Sequence, residues 1–154
     1  MSVIKSVFAG GLAIAAILAM AAVHAANYPK TMQATFEIRN DGRQDLQMTG
    51  TSWNADADER ARHALTADQS FRVFKRVFSN PRSGVAAFRY SNGEGKKCEF
   101  QMSHQMVFSW FGLSPNNEKR VSARSTGAVP AECTAVVTDG QGSLDRYRVR
   151  FSMK

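Results

Sequence analysis

From Met32 to Arg39 the chain reads MQATFEIR, with Met32, Ala34, Phe36 and Ile38 alternating against Gln33, Thr35, Glu37 and Arg39. A period of two puts these sets on opposite faces, so the segment predicts a half-buried strand. NDG at 40–42 turns the chain, and Leu46 and Met48 resume the alternation before Trp53, which predicts a hairpin of the first two strands. The period then changes. Asp56 stands three residues before Glu59, and Thr66 three before Gln69, as two possible capping boxes. At about 100° per residue, Ala57, Ala64, Ala67, Phe71, Phe74 and Phe78 share one broad stripe while Arg62, Arg72 and Arg76 point away. The spacing predicts a helical segment over about 56–79, as one helix or two, stopped by Asn80 and Pro81. FRVFKRVF at 71–78 then closes an amphipathic helix. As a strand it would put Arg72 beside Phe74 and Lys75 beside Phe71, breaking the alternation a half-buried strand needs, although so many aromatics and valines also suit a sheet.

Beyond Gly84 the strand pattern returns. VAAFRY at 85–90 and KCEFQMSH at 97–104 flank the turn-rich SNGEG as a hairpin, with Cys98, Phe100, Met102 and His104 on the inward face. MVFSWFG at 106–112 is apolar on both faces; it fits a strand covered on two sides, or one whose Phe108 and Trp110 form an exposed aromatic patch. SPNNEKR reads as a polar loop and VSARST as a short strand. ECTAVVT at 132–138 and LDRYRVRFSM at 144–153, joined by DGQGS, give a third hairpin. In its last strand Tyr147, Val149, Phe151 and Met153 alternate with Arg146, Arg148, Arg150 and Ser152, so three arginines share one face at intervals of about 6.6 Å. The expected fold is α+β: an antiparallel, curved sheet of six or seven strands with one helical segment packed on one face.

Composition changes this picture at the N-terminus. Lys5, an apolar run from Val7 to Val23 and the small residues of AVHA have the three parts of a signal peptide over 1–25, with Ala26 opening a single domain of residues 26–154. An apolar run of that length, rich in Ala and Gly, is marginal for a bilayer core about 30 Å thick, so cleavage and no stable membrane insertion are expected. The product is expected in the periplasm or secreted. Cys98 and Cys133 are the only cysteines, and an oxidising compartment pairs them, tying the middle hairpin to the last. CxxC spacing and neighbouring histidines, which metal or redox chemistry would need, are missing, and no metal or cofactor is implied.

Charge is uneven along the chain. Residues 26–70 hold five Lys or Arg against seven Asp or Glu, while residues 71–154 hold fourteen against six, a net of +8. Such a gradient concentrates an anionic partner, and it also serves solubility. Walker, HExxH, GxSxG and CxxC motifs are absent from the sequence. The strongest functional candidate is a basic face of Arg146, Arg148 and Arg150 with Lys96 and Lys97 of the nearby hairpin loop, since arginine forks grip phosphates and carboxylates through paired hydrogen bonds. Outward charges on a strand also protect an edge from aggregation. Arg72, Lys75 and Arg76 form a secondary basic face on the predicted helix. These features point to a non-enzymatic binding protein for an acidic protein or polyanion. Two alternatives stand beside it: a small secreted hydrolase of nuclease type using His104 or His63 as acid and base, and a periplasmic inhibitor or immunity protein.

Overall fold

The alternation from Met32 to Ile38 is realised as β1 (Met32–Asn40), whose four apolar side chains are all buried. The computed structural model describes residues 28–108 and 115–154, so the predicted signal peptide and Trp110 lie outside the described residues. After β1 come β2 (Gln47–Thr51), α1 (Ala57–Arg62), β3 (Phe71–Phe78), β4 (Ser83–Ser91), β5 (Lys97–Phe108), β6 (Pro115–Ser125), β7 (Cys133–Asp139) and β8 (Arg146–Met153). They build two four-stranded sheets, ordered β3-β1-β8-β7 and β2-β4-β5-β6. All pairings are antiparallel except that of β1 with β8.

The expectation of one curved sheet of six or seven strands is therefore corrected, among the described residues, to eight strands in two sheets, although mainly antiparallel strands with one short helix do make up the described fold. The first predicted hairpin fails for a local reason. Asn40 is fully buried; its amide donates to the Gln44 and Thr66 carbonyls (2.7 and 2.8 Å), and its Oδ1 accepts from the Gly42 N–H (3.0 Å). This knot sends the chain across to the second sheet, where β2 pairs with β4, and leaves both edges of β1 free for β3 and β8.

The predicted helix over 56–79 is corrected too. Asp56 does cap α1, its side chain accepting from the Glu59 N–H at 2.7 Å, but the helix stops at Arg62 and FRVFKRVF is strand β3. The mixed faces that argued against a strand are tolerated because β3 lies at an edge. Its inner face carries Phe74 and Phe78 toward the core, while Arg72 reaches water and Arg76 lies over the Trp53 ring at 4.8 Å. SPNNEKR, expected as a loop, begins β6 from Pro115 onward, and VSARS continues the same strand.

The other two hairpins form as expected, the first turning through Gly93 and Gly95, both at positive φ. Between the sheets lies an aromatic core: the Phe88 ring centroid sits 5.9 Å from Phe36, 5.4 Å from Phe100 and 5.0 Å from Phe151. Cys98 of β5 and Cys133 of β7 form a disulfide with Cα atoms 5.8 Å apart, joining the two sheets. Among the described residues no helix is long and apolar enough to cross a membrane.

Candidate functional site

Strand register decides which basic residues can act together. In β1 the outward residues are Gln33, Thr35, Glu37 and Arg39, and each aligns β3 on one side with β8 on the other. Thr35 stands between Lys75 and Arg148; Gln33 stands between Val77 and Arg146; Glu37 stands between Val73 and Arg150. Lys75 and Arg148 are thus in one row, two strand spacings or about 9.6 Å apart, with Arg146 about 6.6 Å along the strand from Arg148. These three line a shallow concavity whose wall includes Gln33, Thr35, Val73 and Asp139. None of the three is in an ion pair among the described residues, whereas Arg150 Nε is held by Glu37 Oε1 at 2.8 Å. The arginine ladder is therefore one arginine held in an ion pair and two outside that distance, with Arg148 opposite Asp139 of β7 and Arg146 beside Asp145, whose carboxyl it helps to lower.

The structure merges part of the secondary basic face with the primary one. Lys75 joins Arg146 and Arg148, while Arg72 and Arg76 point to the other side of β3. Lys96 and Lys97 lie apart from the ladder. Lys97 alternates with the buried Cys98 and so projects from the outer face of the second sheet, and Lys96 lines a small crevice with Arg43, Asn92 and Lys154, at the far end of β8 from Arg146. On that second outer face Glu99 accepts from both Arg89 (2.9 Å) and Arg124 (2.6 Å), which holds its carboxyl below the usual range and leaves those arginines engaged.

The outward face of β3, which enters the concavity at Val73 and Lys75, holds what the sequence pattern did not reveal. Phe71, Val73 and Val77, on the same outward face of β3 as Lys75, are 57%, 52% and 61% exposed. A helix reading hides Phe71 by construction. The signal that could have found this apolar strip was the run of β-branched and aromatic residues.

Neither His63 nor His104 lies in an open cleft. His104 is 2% exposed, packed edge-on against Phe78 (4.9 Å) and near Tyr147, whose hydroxyl is 3.4 Å from Nδ1; its Nε2 lies 3.3 Å from the Asn80 carbonyl oxygen. Its register partner Lys119 is also buried, donating to the Gln141 (3.0 Å) and Ser143 carbonyls, and burial pushes its ammonium down to about 8. Asn117, one step along β6, is fully buried, with Oδ1 unpartnered among the described residues. His63 caps α1 and stacks on Phe74 at 4.6 Å. The two imidazoles thus rest on rings four residues apart along β3, about 13 Å. Among the described residues no group of three His, Cys, Asp or Glu side chains gathers that could hold a metal.

Burial lowers the pKa of His104, and the positive charge of Lys119 lowers it further, against an opposing contact with the Asn80 carbonyl. The folded state therefore binds this proton less well than the unfolded chain. Stability from neutral His104 is complete above about pH 6.5 and is lost as pH falls through its lowered folded value. Urea midpoints should decline between pH 7.5 and 5, and less so in His104→Gln; identical pH slopes for the two proteins would show that His104 does not titrate in this way. The comparison bears on His104 because His63, also lowered, and Lys119, whose ammonium at about 8 begins to lose its proton only at the upper end of this range, are common to both, while Glu99 and Asp145 act only below about pH 4.5.

A scan against models of protein families matches none of them, and a search of curated proteins returns no significant match, so the reading of this site rests on its own geometry.

Proposed function

We propose that this chain is an exported, non-enzymatic binding protein whose outer β3-β1-β8 face recognises an acidic protein. The observation that carries this reading is the grouping of Lys75, Arg146 and Arg148 in one concavity, free of ion pairs among the described residues and bordered by exposed Phe71, Val73 and Val77. Cations alone would suit any polyanion. Cations beside an exposed apolar strip suit a protein, because the centre of a protein interface is apolar and arginine is enriched beside its aromatic and aliphatic anchors. A single-stranded nucleic acid would need a series of stacking rings, and Phe71 is the only aromatic side chain on this outer face among the described residues. The disulfide supports export, since such bonds persist in oxidising compartments.

Poly-L-glutamate serves as a defined acidic probe. Changing Lys75, Arg146 and Arg148 together to Ser should weaken its binding by roughly tenfold at about 50 mM salt, each exposed charge contributing under about 1 kcal/mol, and the difference should shrink as salt is raised. Capture of acidic exported proteins on the immobilised chain should be reduced in parallel. Equal binding by native and triple-variant protein would remove the basic face from consideration. The polyanion reading would be favoured instead if a single-stranded oligonucleotide bound more tightly than poly-L-glutamate and lost its affinity in the same variant.

A further inference from the structure

Strand β3 ends its sheet: among the described residues it pairs with β1 and with no other strand. The Asn40 N–H donates to the Ser70 carbonyl at 2.8 Å, which makes that opposed couple a hydrogen-bonded pair. Antiparallel ladders alternate, so Arg72, Phe74, Arg76 and Phe78 direct their backbone groups at β1, and Phe71, Val73, Lys75 and Val77 direct theirs away from it. The β8 side agrees with this phase, since the Gln33 N–H donates to the Asp145 carbonyl on the opposite flank of β1. The four outward residues are all exposed. A row of donors and acceptors is left open to solvent along eight residues whose register with β1 is unbroken by any bulge.

The other sheet ends differ. The edge of β2 is capped where Leu46 and Leu65 exchange backbone hydrogen bonds (2.8 and 2.9 Å). β7 is tied by the disulfide to β5, the neighbour of β6, and Lys119 of β6 reaches the Gln141 and Ser143 carbonyls in the turn between β7 and β8. A long open edge in a folded protein is a place for another strand unless its charges turn strands away, and β3 carries Arg72, Lys75 and Arg76 among its apolar residues.

Charge selects the occupant. If two copies paired β3 antiparallel with seven residues in register, a centre at Phe74 would oppose Arg72 to Arg76 twice, and a centre at Lys75 would oppose Lys75 to itself. Like charges directly opposite repel across strands. A foreign strand with carboxylates opposite Arg72, Lys75 and Arg76 and apolar side chains elsewhere meets the same edge with every pair matched. We infer that the acidic partner binds by adding an extended segment to the free edge of β3; this rests on the acidic-protein reading above and gives it a geometry.

The probe is a synthetic eight-residue peptide of valines carrying glutamates opposite Arg72, Lys75 and Arg76, added to the full chain while amide hydrogen exchange is followed by NMR. Exchange at Phe71, Val73, Lys75 and Val77 should slow at least tenfold, while the alternate amides, already bonded to β1, change little. Val73→Pro deletes one outward donor and no β1 bond, and should weaken the peptide at least tenfold. Should that variant misfold, methylating alternate peptide nitrogens gives the same test on native protein: binding should survive in one phase and vanish in the other. Three outcomes overturn the inference: binding without the alternating protection, no binding at millimolar peptide, or sedimentation showing a β3-dependent dimer of the chain itself. If it falls while Arg146→Ser with Arg148→Ser still weakens poly-L-glutamate, the basic face stands and only strand addition is lost.

Discussion

Phe88→Ala should destabilise the fold by about 3–5 kcal/mol, the range for removing a buried ring from a core that closes only partly around the gap. Phe88 projects from β4 into the space between the sheets, where it meets rings from both: Phe36, Phe74 and Phe151 on one side, Tyr90 and Phe100 on its own. Trp53 closes the group at 6.2 Å. Truncation therefore removes a ring that meets rings of β1, β3, β8 and β5 together. Urea unfolding with an unchanged slope would report the loss, and a cost below about 1 kcal/mol would mean that the sheets do not meet at this ring. Phe71→Ser gives the contrast. Being on the open edge, it should shift stability by under about 0.5 kcal/mol.

That contrast also explains what the sequence could and could not say. Where a strand has one covered and one wet face along its whole length, the period of two is written plainly: Met32 to Ile38, Cys98 to His104 and Tyr147 to Met153 all place their side chains as the pattern predicts. Pairing between distant segments leaves no such mark. Nothing local in MQATFEIR signals that its neighbours are β3 and a parallel β8, and the polar NDG that suggests a tight hairpin is instead the start of a crossing pinned by buried Asn40. FRVFKRVF misleads for a different reason. At a sandwich edge the inner face is covered only in part, so Arg72 and Arg76 can share it with Phe74 and Phe78, and the result resembles an amphipathic helix.

The candidate site was legible one strand at a time. Arg146, Arg148 and Arg150 are recognisable as a ladder from alternation alone, but their differing value depends on Glu37, more than a hundred residues earlier, which engages Arg150 and not the other two. Lys75 enters the same concavity only because β1 places β3 beside β8, so a residue assigned to a second, helical face belongs to the first. Lys119 and Asn117 were hidden for the complementary reason: a run as polar as NNEKR gives no hint that its alternate members turn inward, where carbonyls at the turn before β8 receive the ammonium.

Reducing the Cys98–Cys133 bond should cost about 4 kcal/mol, the loop-closure term for cysteines 35 residues apart on the chain-entropy account. The loss should not be spread evenly. β7 is hydrogen-bonded to β8 alone, and its other flank is tied to the second sheet by this bond. Amide exchange should therefore rise first in β7 and last in β1, which is bonded on both sides. The doubly substituted Cys98→Ala, Cys133→Ala protein should match the reduced native protein and be indifferent to reductant. Since β8 supplies Arg146 and Arg148 and is held on its other side by β1, poly-L-glutamate binding should survive reduction under conditions where the fold persists. Stability that is the same with and without reductant, at matched pH, would show that the sheets hold β7 in place without the covalent link.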